Sequence, residues 1–460
     1  MNRRKFGLLS TSSVAAAALQ PALAQTSAPD PSLLKTTLTP LGAERAGNAD
    51  GSIPAWTGGI FSAPLPPTTP VDVPMFNDEQ PLYTVNASNM AQYESMLTPG
   101  TQALINNFGL SLKVYQTHRT AAAPQYLYDN TAANATRAKL DPNGGRLGFS
   151  GAYGGVPFPI LDTSDPFAAG AQVIWNHLLN WDRYSYYGQF TPGYVIASGQ
   201  RVLSFGGSVH QVYPYYDPNG SLETYEGYFS KLYNYSVAPA ASNGQEALVW
   251  VSSNTTIKPD ITWSVVNGQG RVRKAPDEAY DTPNPSANGI GNYDDASGFA
   301  GSPEKYDWKL IGKQEMLTPY NNNMLHFQNA DILLGPHFPN PDIVRWEKHR
   351  LWVVEATLHP GERNTSARRR LYVDEDTWLA VMVDCYDAQN VLVKTIVNYN
   401  RVVPALPGTI QHGYALWNVQ TGDYTYIGTI KQPPYPHNEY MVKLPPEMFD
   451  PQQMAASASF

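Results

Sequence analysis

The chain has 460 residues, a net charge of −8 at pH 7 and a single cysteine, Cys385. The acidic balance argues against a nucleic-acid-binding protein, and one cysteine excludes an intrachain disulfide. With 29 tyrosines, 10 tryptophans and only 15% charged residues, the composition indicates large apolar surfaces that line a core or face a ligand.

Residues 1–24 have the features of an export signal. Arg3 and Arg4 precede an apolar run, and a small-x-small cleavage site ends at Ala24. The arginine pair resembles a twin-arginine signal, with Gly7 standing where that motif prefers Leu; the alternative is an ordinary secretory signal. We expect cleavage near Ala24 and a periplasmic protein, whose charge of −8 becomes −11 because three basic residues and no acids are removed.

Residues 25–84 are rich in proline and have few periodic segments, which predicts an extended strap over the body of the protein. Within this strap, Glu44–Gly59 ("ERAGNADGSIPAWTGG") is too rich in Gly and Asn for a helix. We interpret it as a docking motif in which Trp56 is the anchor and Arg45 and Asp50 fix the loop. A ligand or partner site is the alternative interpretation.

Residues 85–460 are predicted to form a single domain, with the C-terminal segment as a tail. The stretch "SNMAQYESMLTPGTQALINNFG" predicts two short helices that break at Pro99-Gly100, and "DPFAAGAQVIWNHLLNW" predicts a helix that starts at Asp165-Pro166. Two intervening stretches, "VYQTHRTAAAPQYLYDN" and "GAYGGVPFPI", are irregular and are predicted to be loops. Past the signal, no apolar run reaches the roughly 18 residues that span a bilayer.

Strand patterns dominate from about Tyr194 to Tyr399. The pair Asn267-Gly268 in "ITWSVVNGQGRVRK" indicates a hairpin. The stretch "RRRLYVDEDTWLAVMVDCYDAQNVLVKTIVNY" predicts three consecutive antiparallel strands joined by polar turns. No helix-length segment separates these strands, so a parallel α/β sheet is not expected. The predicted fold class is α+β, with a large, bent antiparallel sheet covered by helices.

The sequence lacks familiar catalytic and metal-binding motifs, so we expect no catalytic residue, no metal and no cofactor. The acidic turn Asp374-Glu375-Asp376 is interpreted as solvated, and "GNYDDASG" is not expected to be a calcium loop. Glu355 is assigned a structural ion pair with one of Arg368–Arg370, with a general base as the alternative. His177 is expected to bond a loop carbonyl, with a ligand contact as the alternative.

Several motifs, in their order along the chain, resemble the bacterial exported family known as domain of unknown function 1329 (DUF1329). They run from about Leu38 to Tyr399: "LTPLGAERAGNADGSIPAWTGG", "VYQTHRTAAAPQ", "GAYGGVPFPI" with "WNHLL", "AYDTPNP", "YDWKLIGKQEMLTPYNNN", and "HRLWVVEATLHPGERN" followed by "RRLYVDEDTW". The resemblance implies a fold similar to that of periplasmic lipoprotein-sorting carriers, in which a half-open antiparallel β-barrel covered by helices encloses a hydrophobic pocket. It also implies envelope transport, because members are often encoded near outer-membrane channel-like proteins and multidrug-type exporters. The chain is much longer than the lipoprotein carriers.

These considerations predict a periplasmic binding or transfer protein for a lipid or another hydrophobic small molecule, working with an envelope transporter or an outer-membrane protein. The alternatives are an enzyme acting on a hydrophobic substrate and a structural subunit of an envelope complex. Alternation along the strands predicts an internal apolar cavity bordered by Trp352, Trp378 and Met382, with a filled core as the alternative. The predicted ligand-binding residues are Trp352, Val354, Trp378, Met382, Trp250, Trp263 and His177.

Overall fold

The computed structural model describes residues 29–60, 73–190, 193–203, 206–265, 271–274, 281–406, 408–430, 438–440 and 443–457. The predicted export signal (1–24) and the predicted Asn267-Gly268 turn lie outside the described residues. No helix in the described part of the chain is long and apolar enough to cross a membrane.

The α-helices of the described residues are mostly short. They are α1 (Pro99–Phe108), α2 (Gln125–Arg137), α3 (Pro166–Leu178), α4 (Ala330–Leu333) and α5 (Pro451–Ser457). Helix α3 begins where the sequence predicts, because the Asp165 side chain accepts from the backbone N–H groups of Phe167 and Ala168.

Helices α1 and α2 correct two sequence-based boundaries. Pro99 opens α1 instead of breaking a helix, since Thr98 caps it and a proline is tolerated in the first turn. Helix α2 begins at Gln125, inside a stretch predicted to be a loop. Its side chains Leu127, Thr131 and Asn134 are fully buried, so tertiary packing stabilises a helix that its own composition does not favour.

Three sheets contain the strands of the described residues. The large sheet has eleven: β1 (Tyr83–Val85), β2 (Leu112–Val114), β6 (Gly193–Val195), β7 (Arg201–Leu203), β13 (Tyr306–Pro319), β14 (Trp346–Leu358), β15 (Arg368–Asp374), β16 (Ala380–Tyr386), β17 (Leu392–Val403), β18 (Gly408–Asn418) and β19 (Tyr424–Gly428). The smaller sheet has seven: β5 (Ser185–Phe190), β8 (Gly206–Val212), β9 (Tyr228–Ala238), β10 (Glu246–Ser252), β11 (Ile261–Val265), β12 (Val272–Lys274) and β20 (Asn438–Tyr440). The third pairs β3 (Lys139–Leu140) with β4 (Phe149–Ser150).

The order of the large sheet is β1-β2-β14-β15-β16-β17-β18-β19-β6-β7, with β13 paired along β14. The predicted consecutive strands β15, β16 and β17 are confirmed as antiparallel neighbours. The predicted hairpin is confirmed as β11 and β12, although it belongs to the smaller sheet. Register shifts interrupt four of the large sheet's pairs, and such bulges bend a sheet. Strand β2 pairs in parallel with β14, whereas the other pairs of the large sheet are antiparallel. The fold is therefore α+β with a large, open and mostly antiparallel sheet.

Both faces of the large sheet are covered. One face, here called the α3 face, packs against α2, α3 and the loops around residues 149–158. The other, here called the α1 face, packs against α1 and α4. Strand β14 contributes to both, because Val354 and Ala356 lie in the first core and Leu351 and Val353 lie in the second.

A β-bulge in β16 corrects the predicted facing of one segment. Alternation predicts that Trp378, Ala380 and Met382 share a face, but the register shifts so that Tyr372 pairs with Met382 and Val373 pairs with Ala380. The extra residue reverses the alternation. As a result, Trp378 and Ala380 lie on the α3 face and Met382 lies on the α1 face.

Candidate functional site

A narrow apolar cleft lies on the α1 face, with a free volume of about 10 Å³. Leu104 of α1 forms one wall. Trp346 of β14, Val397 of β17 and Trp417 of β18 form the wall provided by the sheet. Helix α1 therefore lies over the strands and closes the cleft from outside.

The cleft meets an open groove of about 410 Å³ at two shared residues, Phe338 and Pro341. The outer groove is lined by α4 and by the segment after β6, including Arg201 and Ile332. Ile332 is 46% exposed, so the groove presents apolar surface to solvent. The half-buried Phe338 ring lies between the groove and the inner cleft.

The segment 335–341, here called the gate loop, is held from two sides. Trp417 Nε1 donates to the His337 carbonyl and the Tyr424 hydroxyl donates to the Gly335 carbonyl, both at 2.8 Å. The His337 ring stacks on Phe108 at the end of α1, with the ring centroids 5.6 Å apart. The gate loop therefore contacts both the sheet and the end of α1.

The start of α1 is seated on a buried carboxylate. The Gly100 N–H donates to both Asp384 oxygens, at 3.2 and 3.1 Å, and the Thr395 hydroxyl donates to Asp384 at 2.9 Å. Glycine is required, since a Cβ at position 100 would lie 2.2 Å from Asp384 Oδ1. Burial raises the pKa of Asp384 to about 6, because its hydrogen bonds only partly offset the loss of hydration.

The cleft is closed in this arrangement. Its interior has space for about one water molecule, although its walls are mostly apolar. A larger apolar molecule would require α1 or the gate loop to move outward. The cleft can therefore supply apolar contact area, and no histidine, cysteine, lysine or carboxylate lies among the described residues that line it.

The predicted cavity residues are only partly brought together. Trp352, Val354 and Trp378 belong to the α3 face, where Trp378 is 1% exposed and donates from Nε1 to the Leu41 carbonyl at 2.8 Å. Met382 lies on the opposite face, where the Thr101 hydroxyl lies 3.8 Å from its sulfur. The prediction that Trp378 and Met382 border one space is wrong, because the β16 bulge turns them to opposite faces. A ligand contact for any of these residues stays a prediction.

Trp250 and Trp263 lie in the smaller sheet, away from the others. Their rings are in edge contact at 5.2 Å, and they pack against Phe449 and Met454 of the C-terminal segment. Trp250 also donates from Nε1 to the Phe449 carbonyl. Their predicted ligand contact is not supported by this packing and stays a prediction.

His177 is hydrogen-bonded on both ring nitrogens. Nε2 lies 3.1 Å from the Phe299 carbonyl, and Nδ1 accepts from the Ala380 N–H. Burial lowers the pKa of His177 to about 4, so the ring is neutral at pH 7. The expected bond to a loop carbonyl is confirmed.

The predicted ion pair of Glu355 is also confirmed. Its Oε2 lies 3.0 Å from Arg368 and 2.8 Å from Arg370, on the next strand. These two arginines account for a carboxylate inside an otherwise apolar strand.

The acidic turn is not solvated as predicted. Asp374, Glu375 and Asp376 are 0%, 2% and 3% exposed. Arg119 binds Asp376 through two nitrogens at 2.9 and 2.6 Å, and Arg350 binds Glu375 at 3.1 Å. These cations lie far from the turn in sequence, so a local pattern could not reveal them.

The same arginines hold the strap by its backbone. Arg119 donates to the Glu44 carbonyl at 2.7 Å, and both terminal nitrogens of Arg350 donate to the Ala46 carbonyl at 3.1 Å. Trp56 donates to the Ala121 carbonyl and lies under the Arg45 guanidinium, as the docking interpretation predicts. The strap segment 44–56 is therefore fixed to a buried ionic network, here called the strap network. It is formed by Arg119 and Arg350 with Glu375 and Asp376 and by the neighbouring Arg345–Glu347 pair.

The second acidic motif, "GNYDDASG", is part of a balanced ionic cluster. Arg369 binds Asp294 and Asp295, each at 2.7 Å, and Lys394 also pairs with Asp295. The pKa of Asp295 is lowered: burial opposes the shift, but Lys394 and Arg369 outweigh it. The side chains of this motif therefore serve a structural ion-pair cluster.

Comparison with known proteins gives a close relative. An uncharacterized protein of Pseudomonas aeruginosa is 37% identical over 386 residues, which cover 80% of this chain and 80% of the relative.

Solved structures with detectable similarity are more distant. A DUF1329 family protein from Desulfovibrio piger is 16% identical, with a TM-score of 0.42, covering 62% of this chain and 98% of that one. An outer membrane lipoprotein-sorting protein domain from Vibrio parahaemolyticus is 14% identical, with a TM-score of 0.40 and coverage of 59% and 92%. A LolA superfamily protein from Nitrosomonas europaea is 10% identical, with a TM-score of 0.37 and coverage of 61% and 96%.

The resemblance seen in the motifs agrees with a family match that covers most of the chain. Residues 84–455 match the family described as "Protein of unknown function (DUF1329)". The chain belongs to the DUF1329 family.

Proposed function

We propose that the protein binds a lipid-like hydrophobic molecule in the apolar cleft and transfers it within the periplasm to an envelope transporter or an outer-membrane protein. One observation carries the proposal: an inner cleft walled by Trp346, Val397 and Trp417 adjoins an open groove at Phe338. A closed apolar interior next to an open entry is what a carrier needs, because it must take up its cargo and then keep it from water.

The expected driving force is burial of hydrocarbon. Each methylene removed from water contributes about 0.8 kcal/mol, so a ten-carbon chain would contribute about 8 kcal/mol before the costs of ordering. Opening the cleft separates α1 or the gate loop from the sheet. The free-energy cost of this separation is smaller if the cargo replaces the apolar contacts that α1 loses.

The proposed location depends on the signal predicted in residues 1–24. Cell fractionation should find a periplasmic form that begins near Gln25. Replacing Arg3 and Arg4 by Lys should stop export if the signal is of the twin-arginine type. Unchanged export of that variant would favour the general secretory route.

The ligand can be sought directly by native mass spectrometry of protein purified from its own host. A small-molecule adduct that is released with organic solvent supports the carrier proposal. A stoichiometric protein partner without any small molecule would instead favour a structural subunit of an envelope complex.

A fluorescence titration with N-phenyl-1-naphthylamine tests whether the cleft is the binding site. Val344→Phe should fill the cleft, since Val344 lines it and is 4% exposed, and should abolish saturable probe binding. Val391→Phe is the matched control, because Val391 is 45% exposed and lies outside the cleft. Binding that is equal in both variants, each with a normal circular dichroism spectrum, would contradict the proposal.

A further inference from the structure

Three side chains converge beneath the strap, between β14 and the turn that follows β15. They are His349, Asp374 and Asp376, and one ligand-type atom from each lies within 4.8 Å of the other two. Their exposed fractions are 1%, 0% and 3%. The group is independent of the apolar cleft, which has none of these side chains in its walls.

The histidine is oriented by its neighbours. His349 Nε2 lies 3.1 Å from Glu347 Oε2, and the ring stacks on Tyr320 with the centroids 3.7 Å apart. A carboxylate only accepts, so Nε2 carries the proton in this bond. Nδ1, on the other side of the ring, then points away from Glu347 and lies 3.9 Å from Asp374 Oδ1.

Asp374 is oriented in the same way. Its Oδ2 accepts from the Tyr320 hydroxyl at 2.9 Å and from the N–H and hydroxyl of Thr377 at 3.0 and 2.7 Å. Its Oδ1 is buried and has no hydrogen-bond partner, since 3.9 Å to His349 is too long. A buried carboxylate oxygen without a hydrogen-bond partner thus faces His349 Nδ1, and a cation bound between the two atoms would satisfy that oxygen.

The charge around the site favours a cation. Among the described residues, the ion pairs around the acidic turn and around Glu347 join four cations to five carboxylates, and Asp374 lies next to them as a sixth carboxylate. The cations are Arg119, Lys313, Arg345 and Arg350, and the carboxylates are Glu44, Glu79, Glu347, Glu375, Asp376 and Asp374. Carboxylates thus outnumber cations around the site, which favours the binding of a further cation.

We propose that His349, Asp374 and Asp376 bind a first-row divalent metal ion such as Zn²⁺. One imidazole nitrogen and carboxylate oxygens form a donor set that suits Zn²⁺. The bonds of Glu347 to His349 and of Tyr320 to Asp374 correspond to the outer hydrogen bonds that orient ligating histidines and carboxylates. Asp376 already accepts from Arg119, and each of its oxygens has a further lone pair.

The bound ion would fasten the strap. Asp376 holds Arg119, which in turn donates to the Glu44 carbonyl, and Arg119 also lies within 3.5 Å of the Arg45, Ala46 and Pro54 carbonyls. Fixing Asp376 therefore fixes the guanidinium that holds residues 44–54. Chelation should increase tryptic cleavage after Arg45.

The test uses the untagged full-length protein after treatment with EDTA, titrated with ZnCl₂ by isothermal calorimetry. We expect one ion per chain and a melting temperature raised by about 3 °C at 100-fold excess over Kd. Asp374→Asn should fold, because its amide oxygen can still accept from Tyr320 and Thr377, and should lose both responses. His349→Gln is a second variant with the same expected loss.

The control is His359→Gln, because His359 is part of an accessible pair with Asp307 at 2.8 Å that could bind zinc at the surface. This variant should bind zinc like the wild type. The absence of one-to-one binding to the wild type, or binding by folded Asp374→Asn equal to that of the wild type, would overturn the proposal. A Co²⁺ visible absorption band that is lost in Asp374→Asn would support it independently.

Discussion

The apolar cleft and the strap network are both buried, and they share β14, where Trp346 lines the cleft and the next residue, Glu347, belongs to the network. They are stabilised in different ways. The cleft walls are held by apolar packing, which has no fixed direction and tolerates displacement. The network is held by ion pairs and hydrogen bonds, each of which needs a defined geometry.

The difference indicates a division of roles. Two apolar surfaces can separate and close again around a cargo, because the ligand can take the place of α1 against the sheet. A buried ionic network cannot open without leaving charges unpaired. We therefore assign binding to the cleft and fixation of the strap to the network.

The largest effect is expected from removing a cation of the network. Arg119→Met leaves Asp376 without its two-nitrogen partner and releases the Glu44 carbonyl. A buried ion pair broken on one side costs about 3–5 kcal/mol, which urea denaturation at pH 7 would measure. The matched control, Arg368→Met, leaves Glu355 its second partner, Arg370, and should cost less than about 1 kcal/mol. Equal losses of unfolding free energy in the two variants would contradict the view that Arg119 is a buried partner on which the strap network depends.

The second effect concerns the buried carboxylate beneath α1. The pKa of Asp384 in the folded protein is about 6, above the ordinary value of 3.8, so the folded state binds its proton more tightly than the unfolded state. Stability from this group is present at low pH and is lost as the pH rises from about 3.8 through 6. Its surroundings include Arg368 and Arg370, which oppose the shift.

The variant Asp384→Asn isolates this contribution from those of other acids. Relative to the variant, the wild type should gain about 1.4 kcal/mol of unfolding free energy between pH 8 and pH 5, because pH 5 is one unit below the folded pKa. Thermal denaturation of both proteins at several pH values provides the measurement. A difference that does not change with pH would show that Asp384 stays ionised throughout.

The smallest effect is expected at Glu355, which is partly exposed on β14. Glu355→Gln removes the charge that pairs with Arg368 and Arg370 and should lower the unfolding free energy by about 1 kcal/mol or less. Probe binding should remain as in the wild type. A fully stable variant that loses function would favour the enzyme interpretation of this residue.

Local patterns predicted the parts of the fold that local interactions determine. Helix α3 follows from Asp165-Pro166, and the strands β15 to β17 follow from alternation and polar turns. Alternation also assigned Trp352, Val354 and Ala356 correctly to one face. It could not reveal the bulge at Val381, because nothing in a one-residue insertion alters the composition of the strand.

The site was harder to predict for two physical reasons. The acidic turn is buried only because Arg119 and Arg350 arrive from distant segments, and a turn of three acids resembles any solvated turn when those partners are unknown. Alternation gives the face of a tryptophan but not the free volume beside it. For this reason the sequence favoured Trp352 and Trp378, whereas the cleft is lined by Trp346 and Trp417.

The most direct test of the carrier proposal is fluorescence quenching by a fatty acid brominated along its chain, because bromine quenches an indole only at close contact. We predict saturable quenching of the wild type that falls strongly in Trp346→Phe and Trp417→Phe, whose indoles line the cleft, and persists in Trp352→Phe and Trp378→Phe on the opposite face. Absence of saturable quenching, or quenching that falls only in the second pair, would contradict the assignment of binding to this cleft.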